Sequence, residues 1–416
     1  MIRSMKGISM IRKWLSLALV LMLAIGSASA AGYDLCLQAE KSDILSEGAL
    51  RGLSQWLDKA RLTLWTEENP QAAVYYGDTL LLAADEQLLT DGKTAVAGEQ
   101  KTCDIGSLPA KMTEQMRSLA ALAAKYEKSA QATAELGNIV KAKKQLSYAL
   151  TADQWAEIWP KVAEVLGEWV SDLKIESKGT LRRYFASDGS EIGGYFYAEK
   201  VRIAENDVRQ VRLEYGYDAE KGLYLAFRCP NARETRNIRI TMTVKISDRD
   251  GKKTRSISAD VRRWQDGDQD VILLEGSVKE QKGAVTGKTT LDYTRKRDGK
   301  SLKQSLTASH DLKKTADGLT GEVSFDWKYG GRRALSGKVT AGRSERTKIS
   351  MPAAGGDESS LQRGLTQRLL RTLQNISDED RLELIYYLNR SAYLTGEEKE
   401  IYITYDPEFT VTEEHP

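Results

Sequence analysis

The sequence predicts an α+β protein centred on a long antiparallel β-meander over residues 173–341. We expect it to curl as a half-barrel or open sheet, with helices packed on its concave face. Asp-Gly turn pairs recur in this stretch, and they favour tight hairpins because both turn residues must accept positive φ. Four turn glycines fall 16 residues apart, at positions 251, 267, 283 and 299. Between the turns, apolar and polar residues alternate, which is typical of strands with one buried face. This spacing predicts about eleven strands, with roughly 11 or 12 residues in each repeated one.

The first 30 residues predict an export signal. Several basic residues precede an apolar run from Leu15 to Ile25, and the small residues from Ala28 to Ala30 form a cleavage motif. The apolar run is too short to span a bilayer. We therefore expect a secreted or extracytoplasmic protein of the cell envelope, cleaved near Ala30 and without a transmembrane helix.

Residues 31–107 are expected to hold an N-terminal helix followed by short strands. Apolar residues at helical spacing predict the helix over 43–59, and brief apolar runs predict strands near 62–65, 72–76, 79–83, 87–90 and 94–96. Cys36 and Cys103 bracket this segment. In an exported protein they could form a disulfide that stabilises the fold by roughly 4 kcal/mol, and two free thiols are the alternative. Cys229, beside the apolar side of a later strand, is expected in the core.

Residues 108–172 are predicted to be helical. The composition from Pro109 to Leu146 favours helix, with a break at Gly137. A second helix is expected to begin at Thr151, which can form a capping box with Gln154. Three tryptophans on it, Trp155, Trp159 and Trp169, are candidate ligand-binding residues. Their shared face at helical spacing favours the alternative that they pack in the core.

The meander is expected to have one apolar face and one polar, solvent-exposed face. Its apolar face comes to roughly 1,800 Å² and the helices can cover roughly 1,600 Å² at most, so part of the sheet could lie open or line a cavity. After it, residues 342–357 are predicted to be a linker. Residues 358–416 are predicted to hold two amphipathic helices, a final strand over 401–405 and a tail.

A long meander around a few helices, on an exported chain, resembles the half-barrel of the periplasmic lipoprotein carriers of the LolA/LolB-like superfamily. Locally, the run from Asp85 to Thr94 is similar to the strand–turn–strand in which those carriers place an Asp-Gly-Lys turn, here Asp91-Gly92-Lys93. The resemblance implies a carrier that holds a lipid-like group against the concave face of its sheet. It transfers no functional residue to this chain.

Composition argues against several function classes. The chain has only two histidines, His310 and His415, so Ser-His-Asp and Cys-His catalysis and histidine-based metal sites are not expected. His310 is expected in the core. Without the signal, basic and acidic residues nearly balance and are interspersed, which argues against a nucleic-acid partner.

The sequence therefore predicts an exported, non-catalytic binding or carrier-like protein without cofactor or metal, with a lipid or another apolar molecule as its ligand. It leaves the oligomeric state open. Three alternatives remain: a cell-surface or structural interaction protein with a filled core, a carboxylate-based hydrolase, and an outer-membrane barrel.

Overall fold

The fold is dominated by antiparallel β-structure with five helices. The computed structural model describes residues 32–65, 71–85, 88–97, 108–126, 128–131, 133–166, 173–205, 207–315, 318–353 and 355–394. Within these residues, 20 of 22 strands belong to one large antiparallel sheet and two form a separate hairpin. The chain divides into two compact units, residues 1–101 with 308–416 and residues 102–307. The predicted antiparallel sheet with accompanying helices is confirmed at this level.

The first unit contains both ends of the described chain. Its N-terminal elements are β1 (Gly32–Lys41), α1 (Glu47–Lys59), β2 (Ala60–Trp65), β3 (Gln71–Tyr76), β4 (Thr79–Ala84), β5 (Leu88–Thr90) and β6 (Ala95–Ala97). The second unit begins with α2 (Leu108–Ala123), β7 (Lys128–Gln131), β8 (Ala134–Leu136), β9 (Val140–Ala142), β10 (Lys144–Leu150) and α3 (Ala152–Leu166). The early strands agree with the prediction, but the ten-residue strand β1 was not predicted.

The meander follows in chain order. Its strands are β11 (Lys174–Ile175), β12 (Gly179–Phe185), β13 (Glu191–Ala204), β14 (Asp207–Asp218), β15 (Gly222–Arg228), β16 (Arg236–Arg249), β17 (Lys252–Gln265), β18 (Asp268–Gln281), β19 (Ala284–Arg297), β20 (Lys300–Thr315), β21 (Gly318–Tyr329) and β22 (Arg332–Arg343). The boundary between the units falls within β20. The chain then returns to the first unit, where α4 (Glu358–Leu373) and α5 (Asp378–Leu394) form the predicted C-terminal helix pair.

Strand pairing is antiparallel in both units. In the first, the hydrogen-bonded order is β6, β5, β4, β3, β2, β1, β22, β21. In the second, it is β7, β10, β12, β13, β14, β15, β16, β17, β18, β19, with β11 also beside β13. Sequence neighbours therefore pair along most of the sheet, as expected for a meander.

The repeated turns confirm the hairpin prediction and explain the strand lengths. At Asp250-Gly251, Asp266-Gly267, Lys282-Gly283 and Asp298-Gly299, both residues have positive φ. Such two-residue turns match the right-handed twist of the flanking strands. Because a turn uses only two residues of each 16-residue repeat, β16 to β19 have 14 residues each and not 11 or 12.

The stretch predicted as helix up to Leu146 contains helix only to Ala123 and then four short strands, so this prediction was wrong. Strand β10 pairs with β12 from Lys144 to Leu150, and its residues Tyr148 and Leu150 are buried. Tertiary pairing of this kind overrides helix propensity. Gly137, predicted as a helix break, has positive φ in the β8–β9 turn.

The helices begin where the sequence places caps. The hydroxyl of Ser46 accepts from the backbone N–H of Ala49 at the start of α1. At the start of α3, the N–H of Thr151 donates to Gln154 over 2.8 Å, and the N–H of Gln154 donates to the Thr151 hydroxyl over 3.3 Å. The predicted capping box is confirmed. Among the described residues, no helix combines the length and apolar character needed to cross a membrane.

Helices α4 and α5 are tied to the N-terminal elements of the first unit. The Arg368 guanidinium lies 3.1 Å from the buried Asp91 carboxylate. Asp91 also accepts from the backbone N–H groups of Lys93 and Thr94, so the Asp-Gly-Lys turn is a docking point for α4. Burial opposes ionisation of Asp91, yet these hydrogen bonds and Arg368 hold its pKa below the usual value. The turn thus has a structural role in this chain.

Candidate functional site

A continuous apolar face crosses β16 to β19 in the second unit. The register places alternate residues of the four strands side by side in cross-strand rows. One row holds Ile240, Val261, Ile272 and Tyr293, and the next holds Met242, Ala259, Leu274 and Leu291. The alternation seen in the sequence therefore produces a contiguous surface and not scattered apolar side chains.

None of the elements that the structure describes covers this face. The structure describes every residue between Cys229 and Val285, and no hydrophobic side chain in that interval is fully buried. Ile272, in the first of these two rows, is 39% exposed. Exposed contiguous apolar area of this kind usually marks a binding surface.

The uncovered face is continuous with a buried core. Phe227 of β15 lies opposite Ile240, and Leu225 lies opposite Met242. Leu225 is in turn opposite the fully buried Tyr215 of β14. That end of the sheet is covered by α2 and α3. The core there consists of Met116, Leu119, Ala120, Ala123, Tyr148, Leu150, Trp155, Ile158, Ile175, Leu181, Ala198, Val201 and Tyr215.

A cationic rim lies at one end of the uncovered face. Asp270 accepts from Arg263 over 2.6 Å, from Arg297 over 2.7 Å and from the Tyr293 hydroxyl over 3.1 Å. Burial opposes ionisation of Asp270, but these donors lower its pKa. Arg295 lies directly opposite Asp270 in the sheet. Several guanidinium groups therefore border the apolar surface.

Two of the three predicted ligand-binding tryptophans lie in or against the covered core. Trp155 is 1% exposed and makes edge contacts with Trp159 at 6.4 Å and with Phe196 at 5.7 Å between ring centroids. Trp159 is half-buried against the same core. Trp169 lies outside the described residues. A Cβ on Gly179 would approach Trp155 Nε1 to 2.6 Å, so β12 packs tightly against this ring.

Only some of the predictions about the cysteines can be compared with the structure. Cys36 is half-buried on β1, but Cys103 lies outside the described residues, so the disulfide remains a prediction. Cys229 is buried as expected, and burial raises the pKa of its thiol.

His310 is buried on β20, and burial lowers the pKa of its imidazole. Among the described residues, no group of three or more His, Cys, Asp or Glu side chains is placed to hold a metal ion.

The sequence predicted more apolar sheet area than the helices can cover. It did not predict which strands would lie outside the helix cover. It treated the meander as uniform and assigned the ligand role to the tryptophan helix. The order of the elements along the chain could have predicted these strands. Helices α2 and α3 precede β11 and lie over the strands nearest to them, so the later strands are the ones left without a helix.

Comparisons with known proteins leave the chain without an assigned family. No protein-family model and no curated protein matches it. Among solved structures, it is similar to OmpTdeltaL8, a loop L8 deletion mutant of OmpT, an outer membrane protein of Vibrio cholerae. The two share 8% identity over 76% of this chain and 98% of that chain, with a TM-score of 0.23. A similarity this low carries no argument about fold or function.

Proposed function

We propose that this chain is a non-catalytic binding protein that acts outside the cytoplasm, and that its uncovered apolar face binds the hydrocarbon part of a lipid or similar amphiphile. The observation that carries the proposal is the absence of any fully buried hydrophobic residue between Cys229 and Val285, all of which the structure describes. The predicted signal supports the location. The resemblance to lipoprotein carriers is consistent with the ligand class, and the half-barrel curvature it implies is part of this proposal.

The size of the face favours a small amphiphile over a second protein. Four strands at ~4.8 Å spacing, over seven residues at ~3.4 Å, give roughly 450 Å². A stable protein interface needs about 800 Å² on each partner. The face is therefore too small for a stable dimer by itself, whereas the largest apolar patches on monomers are of this size and are often functional.

The cationic rim supports an amphiphile with an anionic head. Arg263, Arg295 and Arg297 lie on the same side of the sheet as Ile272, beyond the first apolar row in the direction of the strands. A hydrocarbon chain that runs parallel to the strands, across the rows, would place its head group beside these guanidinium groups, which favour carboxylate and phosphate oxygens.

A fluorescent fatty acid tests the proposal on the full mature chain. We expect saturable binding that unlabelled lipid displaces. Leu274→Gln puts an amide in the face and should weaken binding by about tenfold, the equivalent of ~1.4 kcal/mol. Leu273→Gln is the matched control, because Leu273 is the neighbouring residue on the opposite face and lies opposite Asp260 and Asp292.

Two results would contradict the proposal. The first is absence of saturable binding across several lipid classes, with no lipid in the native mass spectrum of the purified chain. The second is a concentration-dependent dimer in sedimentation that Leu274→Gln abolishes, which would assign the face to a second copy of the chain.

A further inference from the structure

The opposite face of the same sheet carries a row of four arginines. Arg212 lies opposite Arg228 across β14 and β15, and Arg228 lies opposite Arg239 across β15 and β16. Arg239 lies opposite Arg262 across β16 and β17. Because directly opposed residues point to the same side of a sheet, four guanidinium groups follow one another across four adjacent strands. We call this set the arginine row.

The arginine row departs from the charge pattern of neighbouring strands. Among the other strand pairings described in this unit, like charges oppose each other only in two isolated pairs, Lys174 with Arg202 and Arg249 with Lys252. The remaining opposed charges are unlike, as in Arg263 opposite Asp270. Like charges directly opposite each other destabilise a sheet. The row therefore concentrates in one line a repulsion that is otherwise limited to isolated pairs, and this cost suggests a role other than folding.

Local carboxylates balance the row only in part. Arg212 lies 3.5 Å from Glu214, Arg228 lies 2.6 Å from Glu234, and Arg262 lies 2.7 Å from Asp260. Arg239 is exposed and makes no ion pair with any residue that the structure describes. Ion pairs this exposed are worth about 0–1 kcal/mol, so an external anion can compete with them.

Aromatic rings lie at both ends of the row. Tyr195 lies between two guanidinium groups, with Arg182 at 4.7 Å and Arg212 at 5.5 Å from its ring centroid. Tyr197 is directly opposite Arg212. At the other end, Trp264 follows Arg262 by two residues and so lies on the same face of β17. These rings offer flat apolar surfaces beside a line of positive charge.

We infer that the arginine row binds a linear anionic polysaccharide. The backbone positions of the four arginines repeat at the strand spacing of ~4.8 Å, which is close to the length of one sugar unit, so a polymer with one acid group per sugar can present one anion to each arginine. The planar fork of arginine suits carboxylate and sulfate oxygens. The rings can stack on the C–H faces of the sugars. The apolar-face proposal is independent, because that face is on the other side of the sheet.

Binding of polygalacturonate, which carries carboxylates, and of heparin, which carries sulfates, to the full mature chain tests this inference. The double variant Arg228→Gln/Arg239→Gln should weaken binding about tenfold or more, with a smaller salt dependence. The control Lys279→Gln/Lys288→Gln removes the same charge from the same face, on β18 and β19, and should change Kd by less than about twofold. The affinity of Arg228→Lys/Arg239→Lys should lie between those of the parent chain and the glutamine variant, because lysine keeps the positive charge but lacks the planar pair of donors of a guanidinium group.

If the arginine row had only a structural role, the opposite effect on the melting temperature would be expected. If the row served the fold, Arg239→Gln would lower the melting temperature, whereas relief of like-charge repulsion should leave it unchanged or raise it. Equal weakening by the arginine and lysine variants would overturn the inference, as would binding of single-stranded DNA with no binding of either glycan. Lipid binding measured on the same variants separates this result from the proposed function.

Discussion

Two parts of the same sheet share one sequence pattern and differ in what covers them. In β12 to β14, the apolar residues Leu181, Ala198 and Tyr215 are completely buried beneath α2 and α3. In β16 to β19, equally regular apolar rows are half-exposed, and Ile272 is the most exposed of the large hydrophobic side chains there. The alternation of apolar and polar residues therefore identifies the apolar face of a strand. It does not tell whether another element covers that face.

The uncovered strands are held together within the layer. Each has 14 residues, and β16 and β17 are paired from end to end without a register shift. Polar cross-strand contacts add to this, as in the Arg263–Asp270–Arg297 group. Such contacts contribute roughly 0.2–1 kcal/mol each, so the stability of this part is spread over many small terms.

The largest difference between the two parts is expected from a buried charge. Val201 of β13 is 3% exposed in the helix-covered core, so Val201→Asp should destabilise the chain by several kcal/mol. Val244 of β16 is half-buried on the uncovered face, where an aspartate can reach water, and Val244→Asp should cost about 1 kcal/mol or less. Chemical denaturation measures both. Equal losses would mean that β16 is covered in solution.

A matched leucine pair is expected to give the next largest effect. Leu181→Ala removes a fully buried side chain of β12 and should cost about 2–4 kcal/mol. Leu274→Ala removes the same atoms from the half-buried face of β18, where no closed cavity can form, and should cost about 1 kcal/mol. A larger loss for Leu274→Ala would reverse the comparison.

The meander could be predicted from the sequence because its signals are local. Asp-Gly pairs fix tight turns through the φ values that they accept, and regular turns imply neighbour-to-neighbour pairing. The capping box of Thr151 and Gln154 is local for the same reason. In contrast, β10 lies in a helix-favouring composition, and only its pairing with β12 makes it a strand.

The candidate sites depended on information that no single strand contains. Arg212, Arg228 and Arg239 are unremarkable in the sequence, and only the register of two strand pairings, β14 with β15 and β15 with β16, brings them into line. The uncovered face needed knowledge of which strands α2 and α3 reach. Register and helix placement are long-range properties, so spacing alone predicts neither.

Alkaline pH should act on two buried tyrosines, one in β12 and one in β14. Burial raises the pKa of Tyr184 and of Tyr215 to about 12 from 10.0. The folded state therefore retains these protons longer than the unfolded state does. The stability linked to them is fully present below pH 10.0 and is lost as pH rises through about 12, by the order of 2 kcal/mol per ring.

Tyrosinate absorbance with parallel unfolding curves measures this effect. Tyr215→Phe removes one of the two titrating hydroxyl groups and should show a weaker decline above pH 10.0 than the parent chain. Early titration of all tyrosines, without loss of structure, would show that the covered core admits water.

The smallest effect is expected at a turn of the uncovered part. Lys282 has a φ of +49°, whereas the other three repeated turns have aspartate at this position. Asparagine tolerates the left-handed region better than lysine does, so Lys282→Asn should stabilise the chain by about 0.5 kcal/mol. Lys279→Asn, three residues earlier within β18, is the control and should be neutral or destabilising, because asparagine is disfavoured in strands.

Urea unfolding at several temperatures resolves changes of this size if the dependence of the unfolding free energy on urea concentration is unchanged. A stabilising effect of both variants would point to charge and not to backbone conformation, since both remove one lysine. A stabilising effect at Lys282 alone would show that the tight turns, in the absence of a helix cover, help to set the stability of β18 and β19.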